Sequence, residues 1–478
     1  LVIFSILFGG NRAQVPIESD LDIPFVTAAH PQRPSSTWGK LTKPYPTGAW
    51  FLNLVIGDGS DPVSPLPYSV NVTSRGVDIG YGAHRRTVTS KRVQDVFFPD
   101  VQVTAAERYQ SHYLTSYDNL TAIVYHELQG GAGYETILAR GSPYVTFEFT
   151  DATPVIGSLV GFLENANMDF EEGKTVHGNT FQISLNNFET WMIYTSESVS
   201  LTYNQKKGEI RAAAPFKGIL RMALLPDSTD EQTKALLSNH AYAYPRGGHI
   251  DFVMDPKDPK SYTMEYRWEK YGFGDLLMLA LPHQVEMMDA ASTDFELVHA
   301  EHTYQTIKGV AKGVIGPVWR MKGRITDTLV LHVLCRRSPS HTNSTMLGET
   351  ALLELKKNLE VDIGLEHPIA PDVYGFSKQC GRMARLALIA EEVHEVVNPH
   401  DARDSANNLL LVCCMQFSLA QHADLLVYDR SWGGVVTFEG LNDVHADFGN
   451  AWYNDHHFQY GYFLYAAAVV TRFHPNFY

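Results

Sequence analysis

The stretch "NDHHFQYGY", residues 454–462, concentrates groups that can do chemistry. It holds a carboxylate at Asp455, imidazoles at His456 and His457, an amide at Gln459 and phenols at Tyr460 and Tyr462. Metal ligation is disfavoured by the spacing. Adjacent residues on a helix point about 100° apart, and no third ligand stands three or four positions on, where residue 460 is Tyr. No metal is therefore expected. Two readings of Asp455 stay open. It, or Asn454, can simply cap a helix. Alternatively, Trp452, Tyr453, Phe458, Tyr460 and Tyr462 can surround the carboxyl with aromatic surface. Desolvation raises a carboxyl pKa, as a general acid requires at neutral pH. Tyrosine faces with His, Asn and Gln edges suit sugars, and an acidic Asp among aromatics is how a glycosidase is built.

Other signatures fail on single positions. "EEGKT" at 171–175 ends like a phosphate-binding loop, but Met168 stands where the first Gly is required. "HEVVN" at 394–398 opens like a zinc-protease helix, but Asn398 replaces its second His. No Gly-x-Ser-x-Gly elbow occurs, and the glycine-rich stretches near 80–82 and 130–133 do not open helices.

The elements that must position the 454–462 cluster change character along the chain. From about 45 to 230 the periodicity is that of strands. "YVTFEFTD" alternates, with Val145, Phe147 and Phe149 on one face. "WMIYTSES" and "VSLTYN…GEIRAAA" continue the pattern around a "QKKG" hairpin turn. Residues 231–345 are mixed. "TDEQTKALLSNHA" reads as a helix capped by Thr229 or Asp230, "DLLMLALP" as a buried strand, and "YQTIKGVAKGVIGPVW" as strand-turn-strand. After about 346 the apolar period becomes helical, over 376–396, over 407–427 and again from near Asn454. Strands first and helices last predict separate domains.

The totals narrow the partners. The 478 residues carry a net charge of −15, and basic residues cluster no further than pairs such as Arg85-Arg86. Nucleic acid needs a basic stripe to neutralise phosphates, so no nucleic-acid partner is expected, and no anionic membrane surface either. No run approaches the ~18 apolar residues of a membrane-spanning helix. The four cysteines, Cys335, Cys380, Cys413 and Cys414, form no Cys-x-x-Cys and read as buried thiols, with a Cys335–Cys380 disulfide open. "LVIFSILFGG" at the start resembles the apolar part of a signal peptide. Sequons at Asn71, Asn119 and Asn343 fit secretion.

At this point a resemblance becomes specific. "WYNDHHFQYGYFLYAAAVV" resembles the signature of glycoside hydrolase family 81, the endo-β-1,3-glucanases. "AWFLNLVIGDGSDPVSPLPYSV", "GDLLMLALPH", "YQTIKGVAKGVIGPVW", "YGFSKQCGRMARLALIAEE" and "LVYDRSWGGVV" match further segments in the family's order. The resemblance implies a multidomain β + α chain: an N-terminal β-supersandwich (21–230), a small linking α/β domain (231–345) and an incomplete (α/α)6 barrel (346–478), with 1–20 a signal remnant or disordered. It implies hydrolysis of internal β-1,3-glucosidic bonds with inversion, no cofactor, a laminarin-like β-1,3-glucan as partner, and secretion or the cell wall. Asp455 matches the general acid. Tyr453, His456, His457 and Tyr460 match positions lining the cleft, with Asp429 in "YDRSWGG" a further candidate for it. Gln459 departs from the His common there. Inversion needs a second carboxylate, and the family takes it from glutamates downstream of the acid's motif, with no match before Tyr478. A C-terminally truncated enzyme is therefore expected, with the apolar faces of 376–396 and 407–427 partly uncovered. The alternative is a non-catalytic β-1,3-glucan-binding protein.

Overall fold

The computed structural model describes residues 26–56, 61–164, 168–298, 303–324, 349–365, 370–397 and 426–473. The chain divides into two compact units. The first comprises Pro34–Thr42 and Gly48–Arg324, and the second holds the described parts of Pro16–Arg33, Lys43–Thr47 and Ile325–Tyr478.

Alternation builds the first unit. Its centre is a twelve-stranded sheet running from Ser69–Thr73 at one end to Tyr109–Tyr117 at the other, with every pairing antiparallel. The strand Val145–Ala152 behaves as its pattern predicts on one face, where Val145, Phe147 and Phe149 are buried. On the other face Thr146 is buried as well. The side chain of Arg221, from the neighbouring strand Phe216–Leu225, covers it and donates from Nε to Thr146 Oγ1 at 3.0 Å. Arg221 also donates to the carbonyls of Ala241 and Ala243 at 2.7 Å, lies over the Tyr144 ring, and is pushed down to about 10 by burial. It thereby ties the sheet to the segment after the first helix, α1 (Glu231–Asn239). The cap of α1 is Asp230, whose carboxylate accepts from the backbone N–H of Gln232 and Thr233. The "QKKG" turn closes the hairpin between Thr190–Asn204 and Glu209–Ala212. "DLLMLALP" supplies the buried strand Leu277–Ala280, followed by the short helix α2 (Pro282–Met287). "YQTIKGVAKGVIGPVW" folds into Thr303–Thr306, Gly309–Ile315 and Val318–Arg324.

Helices dominate the second unit. Among the described residues these are α3 (Glu349–Gly364), α4 (Val373–Val397) and α5 (His456–Phe473). The α4 stripe read from the sequence packs on α3 and α5: Phe376, Cys380, Met383, Ala384, Ala387 and Ala390 bury against Leu359, Ala466, Val469 and Val470. Burying each large member contributes roughly 1.5–3 kcal/mol. The expected uncovered face is therefore not found over Phe376–Ala390, because α3 and α5 cover it. The helix expected over 407–427 lies outside the described residues except at its end, where Leu426 and Val427 are strand instead. That strand, Leu426–Asp429, is the middle of a three-stranded sheet. It pairs antiparallel with Gly434–Thr437 and parallel with Val26–Ala28. The Cys335–Cys380 pairing also lies outside the described residues.

Since Met383 is central to the α4 contact, Met383→Ala should destabilise the helical unit by about 2–5 kcal/mol. Urea titration followed by far-UV circular dichroism measures it.

Candidate active site

The residues singled out from the sequence converge at one end of the second unit, where the small sheet, an irregular turn and the start of α5 meet. The turn, Ala446–Trp452, leaves regular geometry. Asp447 and Phe448 have φ of 48° and 57°, Gly449 has 84°, and the following Tyr453 and Asp455 have 60° and 54°. A non-glycine residue held there costs of order 1–3 kcal/mol and persists only where its surroundings over-determine it.

Asn450 is what over-determines it. Its side chain is fully buried, and its Oδ1 accepts from Thr437 N at 3.0 Å and from Tyr460 OH at 3.2 Å. Its Nδ2 donates to Gln459 Oε1 at 2.8 Å, and its backbone carbonyl accepts from Tyr453 N at 3.0 Å and from His456 Nε2 at 2.6 Å. One amide thus joins strand, turn and helix. Gln459 completes the network by donating to the Asp447 carbonyl. A buried amide satisfied on both sides explains Gln459 without any charge.

Asp455 stands at the start of α5, where its backbone carbonyl accepts the N–H of Gln459 at 2.9 Å. It is exposed. The aromatic enclosure expected from the sequence is not its environment, because those rings have other partners. Tyr453 donates its hydroxyl to Asp429 Oδ2 at 2.9 Å, and burial beside that carboxylate raises its pKa. Tyr460 donates to the Val435 carbonyl at 2.9 Å, and burial raises it too. Trp452 sits edge-on to His30 at 4.8 Å.

The imidazole of His456 is pushed down to about 4, chiefly by burial, so at neutral pH it is uncharged and its Nε2–H donates to Asn450. His457 is exposed. Asp429 is fully buried behind Tyr453. Its Oδ1 accepts from Ser431 N at 2.7 Å and His30 N at 3.1 Å. It therefore holds Tyr453 in place and has no open face. The Tyr453 ring lies so close to Gly434 that a Cβ there would meet it at 2.5 Å.

A row of aromatic rings reaches α5 at Phe458 and Tyr462. Phe448 meets Tyr374 edge-on at 4.7 Å, Tyr374 stacks on Phe458 at 6.1 Å, and Phe458 meets Tyr462 at 5.5 Å. Phe448 and Phe458 are 62% and 55% exposed, which leaves an apolar platform open to solvent. Asp447 fixes the row by accepting Tyr374 N at 2.9 Å on its carboxylate. Next to it is an open cleft of about 650 Å³ lined by Asp372, Tyr374, Lys378, Arg382, Asp447 and Phe448. Among the described residues no group of three His, Cys, Asp or Glu could hold a metal ion.

Sequence reasoning brought Asp455, Tyr453, His456, Tyr460 and Asp429 to one place, yet missed Asn450, Asp447 and His30. Asn450 and Asp447 sit in "NDVHADFGN", residues 442–450, whose dense polar content was the available signal. His30 lies 399 residues from Asp429 and carried none.

Similarity supplies the class and then the family. The fold is that of a solved glycoside hydrolase family 81 structure from Clostridium thermocellum, with a TM-score of 0.72 at 18% identity over 95% of this chain and 60% of that one. The profile of the glycosyl hydrolase family 81 N-terminal domain matches residues 30–330, and that of the C-terminal domain matches 342–478. The chain belongs to glycosyl hydrolase family 81. It is 30% identical to a glucan endo-1,3-beta-D-glucosidase of Glycine max, over 91% of this chain and 61% of that protein. It is 23% identical to the primary septum glucan endo-1,3-beta-D-glucosidase of Schizosaccharomyces pombe, over 95% of this chain and 45% of that one. The chain thus spans less than two thirds of the length of these relatives.

Two outcomes follow from the network. Asn450→Ala leaves Thr437 N and Gln459 Oε1 short of partners and should cost about 2–5 kcal/mol, read as a lowered unfolding midpoint. The second concerns pH. A histidine whose folded pKa lies below its unfolded value of about 6.5 binds fewer protons when folded. Its contribution is fully present above about 6.5 and is lost as pH falls toward about 4. His456→Gln should flatten that part of the Tm–pH curve.

Proposed function

We propose that the protein takes part in hydrolysis of internal β-1,3-glucosidic bonds, with Asp455 as the general acid. The observation that carries this reading is an exposed carboxylate at the start of α5, the helix whose Phe458 and Tyr462 end an open aromatic row, in a chain of family 81. Sugar rings carry apolar faces that stack on aromatic side chains, so Phe448, Tyr374, Phe458 and Tyr462 form the glucan platform. His457 and Trp452 flank it. Tyr453, His456, Tyr460 and Asp429 hold the turn that presents the acid.

In the reaction Asp455 passes its proton to the departing glycosidic oxygen as the bond to the anomeric carbon breaks. A water attacks that carbon from the opposite face, and the product is inverted. A second carboxylate about 6.5–9.5 Å away takes the water's proton. The family resemblance assigns this base downstream of the acid's motif and to none of the described carboxylates. It also supports a supersandwich over 21–230, a linking domain over 231–345 and part of an (α/α)6 barrel over 346–478. The names of the relatives support a β-1,3-glucan substrate and action at the cell wall or outside the cell. The exposed hairpin residue Asn119 is the more accessible of the two described sequons, since Asn71 is buried in its strand.

Laminarin is the probe. Asp455→Asn should lower turnover by about 10²–10⁴-fold, measured as new reducing ends, and leave laminarin binding intact. Polarimetry should show the inverted anomer first. Binding with no turnover by the unsubstituted chain would instead favour a glucan-binding protein, and unchanged turnover in Asp455→Asn would remove the acid assignment.

A further inference from the structure

The first unit contains a second enclosed space, of about 260 Å³, formed where the large sheet meets the strands around α2. Its wall is apolar. Trp268 and Trp319 are buried in it, and Tyr266 and Ile250 are half-buried across it. The indole Nε1 groups of both tryptophans are buried with no hydrogen-bond partner, an uncommon cost in a packed interior. Its charged lining is cationic: Arg140 and Lys308 line it together with His283, Gln284 and Thr306, and no Asp or Glu does.

This is notable against the pairing of cations nearby. Arg246 is matched to Glu135 and Glu148, Arg320 to Glu265 and Asp294, Lys322 to Asp289, and Arg324 to Asp258. Arg140 and Lys308, like Lys312 on the strand Gly309–Ile315, have no such match among the described residues, and of these Arg140 and Lys308 line the pocket. Two unmatched cations lining one pocket favour an anion there.

We propose that this pocket binds a small organic carboxylate, its flat apolar body against Tyr266 and Ile250 and its carboxylate between Arg140 and Lys308. The size decides against a longer ligand, since pockets for drug-sized molecules run to roughly 300–1,000 Å³. The two cations favour a charged ligand over a neutral sugar, and competition by laminaribiose tests that preference. The site is independent of the glycosidase reading.

Calorimetric titration of the 478-residue chain with benzoate tests it. Saturable binding is expected, with a Kd of about 1 mM or tighter. Benzamide, which keeps the ring and loses the charge, should bind at least about tenfold more weakly, and so should benzoate to Arg140→Ala or Lys308→Ala. Both cations are exposed, so these variants should fold, and circular dichroism checks that. Ile250→Trp, which fills the space, should abolish binding. The proposal is overturned by an absence of saturable heat, by equal binding of benzamide, by phosphate binding as tightly as benzoate, by laminaribiose competing for the site, or by variants that bind benzoate unchanged. Laminarin turnover should be the same in Arg140→Ala as in the parent chain, which separates this test from that of Asp455.

Discussion

The second unit's chemistry depends on one buried amide. Asn450 is the point where a strand, a left-handed turn and a helix share hydrogen bonds. Regular secondary structure cannot position Asp455, because the backbone reaches it through residues in a conformation L-amino acids avoid. Local preference would pull that turn apart. The amide opposes this by offering two acceptors and a donor in a place where water cannot substitute. The surrounding phenols and the neutral imidazole of His456 are consequences of the same enclosure. Burial keeps each of them uncharged, and uncharged groups can sit this close to one another without penalty.

The division of labour around Asp455 follows. The polar groups that look catalytic in the sequence are mostly turned inward to hold the turn. The apolar groups are turned outward. Phe448, on the strained turn, and Phe458, in the first turn of α5, are large hydrophobic side chains left in solvent. Such exposure costs stability unless something apolar is bound there, and the apolar face of a sugar ring fits that description.

Much of this was legible in the residues. The alternation of Val145, Phe147 and Phe149 fixed a strand face, and the stripe from Phe376 to Ala390 fixed a buried helix face, because each pattern has a single geometric solution. The order of strands before helices was legible for the same reason. The burial of Thr146 was not, since it depends on Arg221 arriving from a strand some 75 residues away. The surroundings of Asp455 were misread on similar grounds. Sequence neighbours are not neighbours of the carboxyl, because the left-handed turn sends Tyr453 toward Asp429 and the helix sends Tyr460 toward Val435. No local pattern announces a run of positive φ at Asp447 and Phe448. The strand at Leu426–Asp429 was hidden too, because an apolar stretch that short reads equally well as the end of a helix.

The pairing of Val26–Ala28 with Leu426–Asp429 has a consequence for synthesis. The partner of this strand is made some 400 residues later. At about 5–20 residues per second, the segment waits on the order of 20–80 s after leaving the ribosome before its sheet exists. During that interval His30 has neither the Asp429 carboxylate nor the Ala451 carbonyl to bond. Val26–His30 is thus among the last parts of the second unit to be set in place, and a strand edge that waits so long is a natural point of engagement for chaperones.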